Sequence, residues 1–161
     1  MVIKGKSDFA KKILNTVIEL NPKYSKPYSN LAGIFVGEGN FEKAEFFLRK
    51  SLEINPKDIN TLVNLSCVLK DLGNTKQAEK LLRDALEINP KFDSALVNLG
   101  AILNELGKVD EGEQFLKKAL KINPNSPMAL NNLGNILSKK NKNKEAAVSY
   151  THLTLPTILL V

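Results

Sequence analysis

The sequence predicts an all-α fold, a solenoid of antiparallel helix-turn-helix repeats, and three observations predict it. Glu19-Leu20-Asn21-Pro22, Glu53-Ile54-Asn55-Pro56, Glu87-Ile88-Asn89-Pro90 and Lys121-Ile122-Asn123-Pro124 recur with their prolines 34 residues apart, the kind of period that stacked repeat units leave in a chain. Gly5, Gly39, Gly73 and Gly107 keep the same interval. Between these marks apolar residues fall at i, i+3, i+4 and i+7, one face of a helix. The punctuation is physical. Proline lacks an amide and pushes the Asn before it out of the α region, so each Asn-Pro ends a helix. Each glycine supplies the left-handed residue at which a helix commonly stops.

Taken in order, residues 1–24 form a partial repeat. Gly5 aligns with Gly39, Ala10 with Ala44 and Ala78, and Leu14 with Leu48, Leu82 and Leu116. Phe9 to Leu20 therefore reads as a second helix, with Met1 to Lys4 as the last turn of a first helix otherwise missing. An array that starts within a unit exposes an apolar face, and Met1 is not expected to be its natural start. Three full repeats follow, 25–58, 59–92 and 93–126. Their first helices carry the stripes Tyr28, Leu31, Ala32, Phe35; Leu62, Leu65, Ser66, Leu69; and Leu96, Leu99, Gly100, Leu103, the small third member letting two helices approach closely. The second helices carry stripes such as Ala78, Leu81, Leu82, Ala85, Leu86. A further partial repeat, 127–150, begins at Ser126-Pro127, a cap followed by proline in the first turn. Its stripe is Leu130, Leu133, Gly134, Leu137, its turn residue is Asn141, and a second helix is expected from Lys144 to Tyr150. Residues 151–161 leave the register: Leu153 occupies a small-residue column, and Pro156 falls two residues before the next proline is due. This tail resembles adapter read-through, and a truncated or artefactual end is expected there, without a contribution to the fold.

Composition excludes several function classes. The net charge of +6 comes from the ends: residues 25–124 hold fourteen basic and fourteen acidic residues. A phosphate-binding surface needs clustered Lys and Arg, with aromatic platforms for single strands, so no nucleic acid is expected as a partner. No apolar run approaches the ~20 residues of a membrane span, so none is expected to enter a membrane. A single cysteine suits a reducing, cytoplasmic location. Catalysis has little to stand on. His152 is the only histidine and lies in the irregular tail, Cys67 has no histidine near it in sequence, and no Cys/His cluster has ligand spacing. Gly33, Gly37 and Gly39 follow no strand and make no phosphate loop. No enzyme, no metal and no cofactor is expected.

The order of Leu, Leu-Gly or Leu-Ala, Leu, turn Gly, Ala, a large apolar residue, Ala and Pro resembles the tetratricopeptide repeat over about residues 1–150. The Trp usual in the first helix is replaced by Tyr28, Leu62, Leu96 and Leu130, and Ser51 and Gly112 stand in for alanines. The resemblance implies a right-handed superhelix whose first helices line a concave groove for peptides, and hence a protein-interaction scaffold.

One column bears on that groove. Asn30, Asn64, Asn98 and Asn132 recur in every first helix, and at about 100° per residue Asn98 falls on the face away from the Leu stripe, together with Ala101. Asn is a mediocre helix former, but its amide offers donors and an acceptor to a peptide backbone. Asn98-Leu99-Gly100 and Asn132-Leu133-Gly134 are similar to the repeats of O-linked N-acetylglucosamine transferases, where an asparagine ladder grips substrate backbone. Inter-repeat packing is the competing explanation of the column. The groove set is Asn30, Asn64, Asn98, Asn132, Lys26, Cys67, Ala101 and Asn135. The family's carboxylate clamp needs a Lys that these positions lack. The expected function is a scaffold binding an extended peptide or partner segment; the alternative is the substrate-recognition arm of a larger enzyme such as a glycosyltransferase. Weak self-association through exposed terminal helices is a third reading.

Overall fold

The structure, a computed structural model, describes residues 2–140. The expectations for Asn141, for a helix from Lys144, for His152 and for the tail 151–161 lie outside the described residues. Among those described there are eight helices and no strand: α1 Val2–Leu20, α2 Ser25–Gly37, α3 Phe41–Ile54, α4 Ile59–Asp71, α5 Thr75–Ile88, α6 Asp93–Glu105, α7 Val109–Ile122 and α8 Pro127–Lys139. From α2 onward each first helix starts 34 residues after the last, at 25, 59, 93 and 127.

The punctuation works as its chemistry requires. Gly39, Gly73 and Gly107 have φ of 72°, 80° and 78°, the left-handed region that an L side chain avoids. In each turn the amide after the glycine donates back to a first-helix carbonyl: Asn40 to Phe35 O at 2.9 Å, Asn74 to Leu69 O at 2.7 Å and Lys108 to Leu103 O at 2.8 Å. At the other junction Asn55 and Asn123 cap α3 and α7. The carbonyls of Asn55, Asn89 and Asn123 then accept from the amides of Asp58, Phe92 and Ser126, closing a turn over each proline. Side chains restart the helices, with Asn40, Asp58 and Ser126 accepting from first-turn amides and Pro127 at the start of α8.

The chain divides into two compact units, Met1–Asp84 and Ala85–Val161. In the first, α1 packs on α2, α2 on α3 and α3 on α4. Its core is Leu31, Ala32, Ala44, Leu48, Leu62, Leu65, Leu69, Ala78 and Leu82. Ser51, in an alanine column, is fully buried and donates its hydroxyl to Ser25 O at 3.2 Å, which satisfies the polar atom a serine brings into a core. In the second unit α6, α7 and α8 pack pairwise around Leu96, Leu116, Ala119, Leu133, Ile136 and Leu137. A Cβ on Gly100 would lie 2.6 Å from Leu116 Cγ, and one on Gly112 would lie 2.8 Å from Gly100 O. The two glycines thus permit a backbone-to-backbone approach of α6 and α7.

Three expectations need correction. Gly5 does not mark a turn: α1 is continuous from Val2 to Leu20. Glycine permits a left-handed turn without imposing one, and it is tolerated within a helix at a modest cost. Tyr28 and Phe35 are half-buried rather than core. The Tyr28 hydroxyl donates to Pro22 O at 3.0 Å, and the Phe35 ring stacks on Phe47 with centroids 5.4 Å apart. The buried face of the later first helices is also wider than one stripe, taking in Thr61, Val63 and Val68 on α4 and Val97 and Ile102 on α6. On α1, Phe9, Ile13 and Leu20 are exposed.

Candidate functional site

In the first unit, burying Leu62, Leu65, Ser66 and Leu69 turns Asn64, Cys67 and Asp71 outward on α4, each pair about one turn apart. On α2, burying Leu31 and Ala32 does the same for Asn30 and Gly33. Between the two helices lies an open pocket of about 190 Å³. Ser29, Ala32, Gly33 and Val36 come from α2, Asn64, Cys67, Val68 and Asp71 from α4, and Leu48 of α3 reaches it from below. The structure therefore brings Asn64 and Cys67 together at one concavity. Asn30 and Lys26 are exposed on α2 but do not line it.

The pocket is mainly apolar. Ala32, Leu48 and Val68 belong to the core and show one side to it. Gly33 leaves a gap in the α2 wall, since an added Cβ would meet nothing within 4 Å. Burial pushes the Cys67 thiol above its ordinary pKa, and the nearby Asp71 carboxylate adds to the effect. A thiol so placed is mostly protonated near neutrality and is a slow nucleophile.

In the second unit Asn98 and Ala101 on α6 and Asn132 on α8 are half-buried, and Asn135 is exposed. The positions that correspond to the pocket two periods on include Ala101 for Gly33, Asn104 for Val36, Asn135 for Cys67 and Lys139 for Asp71. There Lys139 Nζ donates to Asn104 Oδ1 at 3.2 Å, so a polar bridge joins α8 to α6 where the first unit has a valine and a carboxylate.

Two features were missed in sequence. The second helices carry an ion-pair column, Glu45–Arg49 at 2.7 Å, Glu79–Arg83 at 2.8 Å and Glu113–Lys117 at 2.7 Å. Its signal is the same 34-residue interval, followed for charges instead of for leucines. Glu113 also meets Lys140 at 2.6 Å, and the two ammonium groups, Lys117 first, hold its carboxyl down at about 2. Lys140, bonded to Asp110 and Glu113, is raised above the usual lysine range. The pocket itself had no signal, because it depends on the absence of a side chain at Gly33. Among the described residues no group of three His, Cys, Asp or Glu is placed to hold a metal, and no helix is long and apolar enough to cross a membrane.

Two family models, both described as tetratricopeptide repeat, match residues 69–136 and 25–58. No curated protein matches the sequence significantly. Solved structures do. MamA from Desulfovibrio magneticus RS-1, from its residue 41 to the end, superposes with a TM-score of 0.85 at 19% identity, covering 99% of this chain and 91% of that one. Pseudomonas aeruginosa pilF gives 0.85 at 22% identity, with 96% and 70% covered. YrrB, described as a TPR protein with an unusual peptide-binding site, gives 0.75 at 20% identity, with 94% and 78% covered. At these identities the likeness is one of fold.

Proposed function

The chain belongs to the tetratricopeptide repeat family, and on that premise we propose that it is a protein-interaction scaffold whose first helices hold an extended peptide segment of a partner. The observation that carries this reading is the open concavity between α2 and α4, with Asn64 on its wall and no side chain filling it at Gly33. A solvated helix face would be better served by Glu, Lys or Ala than by a column of Asn. An amide matches the alternating N–H and C=O of an extended backbone, so Asn30, Asn64, Asn98 and Asn132 read main chain. YrrB, a relative in fold, is described as having a peptide-binding site, and peptide binding is the use we carry to this chain. The reading is one of binding, since both matched models describe a repeat.

Each asparagine is expected to contribute about 0.5–1.5 kcal/mol, the net worth of an ordinary hydrogen bond. The test is binding of a displayed random-peptide library to the wild type and to Asn64→Ala/Asn98→Ala, one rung from each unit, once circular dichroism shows both folded. The double variant should bind selected peptides roughly 5- to 150-fold more weakly. Equal binding would reduce the asparagines to packing residues, and a library yielding no binder would remove the peptide-scaffold reading.

A further inference from the structure

The pocket of the first unit is more selective than an asparagine ladder requires. At about 190 Å³ it is smaller than the ~300–1,000 Å³ of small-molecule sites. It is nevertheless large enough for one apolar group, since a cavity of about 150 Å³ accepts benzene. Its size therefore suits a single side chain carried in on a backbone. The lining decides which kind. Ala32, Val36, Leu48 and Val68 present only aliphatic carbon, with the open wall at Gly33 as the way in. Asn64 stands one turn before Val68 and Asp71 about one turn after it on α4, so a backbone-reading amide and a carboxylate flank the apolar floor. Among the described residues no hydrogen bond or ion pair engages Asp71.

We infer that this pocket receives an aliphatic side chain, of leucine or methionine size, from a partner segment that also carries a lysine or arginine beside it for Asp71. The inference rests on the peptide-scaffold reading above and adds what the ladder lacks, a sequence preference. The second unit cannot share that preference. At the corresponding positions Asn104 and Lys139 replace the valine and the carboxylate and bond to each other, and Ala101 fills the position of Gly33. A motif of the form aliphatic-plus-basic is thus read in the first unit and not at the corresponding place in the second.

Three arms test this with peptides selected on the wild-type protein. The selected sequences should be enriched in Leu, Ile or Met next to Lys or Arg, and replacing that aliphatic residue by Ala should weaken binding by roughly 10- to 100-fold, the range for losing a buried aliphatic side chain. Gly33→Leu should fill the pocket from α2 without unfolding it, because its Cβ meets nothing within 4 Å and leucine outperforms glycine in a helix. Its melting temperature should hold or rise while the aliphatic preference disappears. Asp71→Asn should remove only the preference for the basic residue. Occupancy can be located directly, since Cys67 is the chain's single cysteine and lines the pocket: bound peptide should slow maleimide labelling of the wild type. Peptides that bind with no aliphatic preference, or that leave the labelling rate unchanged, would overturn the pocket assignment. If Asn64→Ala/Asn98→Ala still weakened their binding, the scaffold reading would survive that result.

Discussion

The helix pair α2–α3 of the first unit and the pair α6–α7 of the second occupy the same register and close in different ways. In the first, Ala32 and Ala44 stand at the small-residue positions, and Phe35 of α2 stacks on Phe47 of α3, with Phe46 edge-on to Phe47 at 5.2 Å. In the second, those small positions are Gly100 and Gly112, and backbone meets backbone. The outward consequence differs too: an open aliphatic pocket beside α2, and an Asn104–Lys139 bridge beside α6. From α2 onward the 34-residue period fixes where helices start and stop, while a few positions within it set how closely they pack and what the outer face can hold.

The largest effects should come from what the two units share. Leu65→Ala and Leu99→Ala each delete a leucine that is 1% or 0% exposed, and each should cost about 2–5 kcal/mol in denaturant melts. A loss below about 0.5 kcal/mol, the surface range, would show that one stripe is not core.

Next comes a substitution whose sign separates the units. Helix propensity alone says that Gly112→Ala should stabilise α7 by about 1 kcal/mol. The contact of the new Cβ with Gly100 O, a backbone atom that cannot swing aside, predicts instead a loss of about 1–3 kcal/mol. Ala44→Gly in the first unit should lose stability as well, about 0.5–1 kcal/mol from backbone freedom, with any cavity cost added. A stabilised Gly112→Ala would mean that the close approach of α6 and α7 is not required.

A smaller effect probes the aromatic side of the contrast. Phe35→Leu installs the residue that Leu69, Leu103 and Leu137 provide in the other repeats. It should cost roughly 0.5–1.5 kcal/mol, the worth of an aromatic pair beyond its buried area. No change would show that the stack adds nothing over a leucine.

The smallest effect depends on pH. The Glu113 carboxyl is lowered from 4.5 to about 2 by Lys117 and Lys140. Its contribution is therefore complete above pH 4.5 and is lost as pH falls from there toward 2. Melting temperatures followed across that window should fall less steeply for Glu113→Gln than for the wild type. Parallel curves would remove the carboxylate from the account of acid sensitivity.

How much of this could be read beforehand depends on whether a feature was made by residues present or by residues absent. The leucine columns, the glycine turns and the outward direction of Asn64 and Cys67 follow from periodicity, because each is a residue that had to go somewhere. The pocket was not legible, since it exists where Gly33 contributes nothing. Nor was the continuity of α1 through Gly5: the alignment with Gly39 was real, but glycine permits a turn without imposing one. Leu31 and Phe35 looked alike as stripe residues, yet one is buried and the other half-exposed, because helix width and neighbouring lysines decide the edge of a core. The Nζ atoms of Lys11 and Lys43 lie 5.5 and 5.4 Å from the Phe35 ring centroid.

The Asn-Pro junctions have a consequence at the level of inheritance. Glu53-Ile54-Asn55-Pro56 and Glu87-Ile88-Asn89-Pro90 are the same four residues in the same structural place, the end of one second helix and the turn into the next first helix. A crossover between the two coding segments would add or remove 34 residues in frame, and the seam would fall where the chain on either side already has the right geometry. Copy number in such a gene can drift without passing through a broken protein.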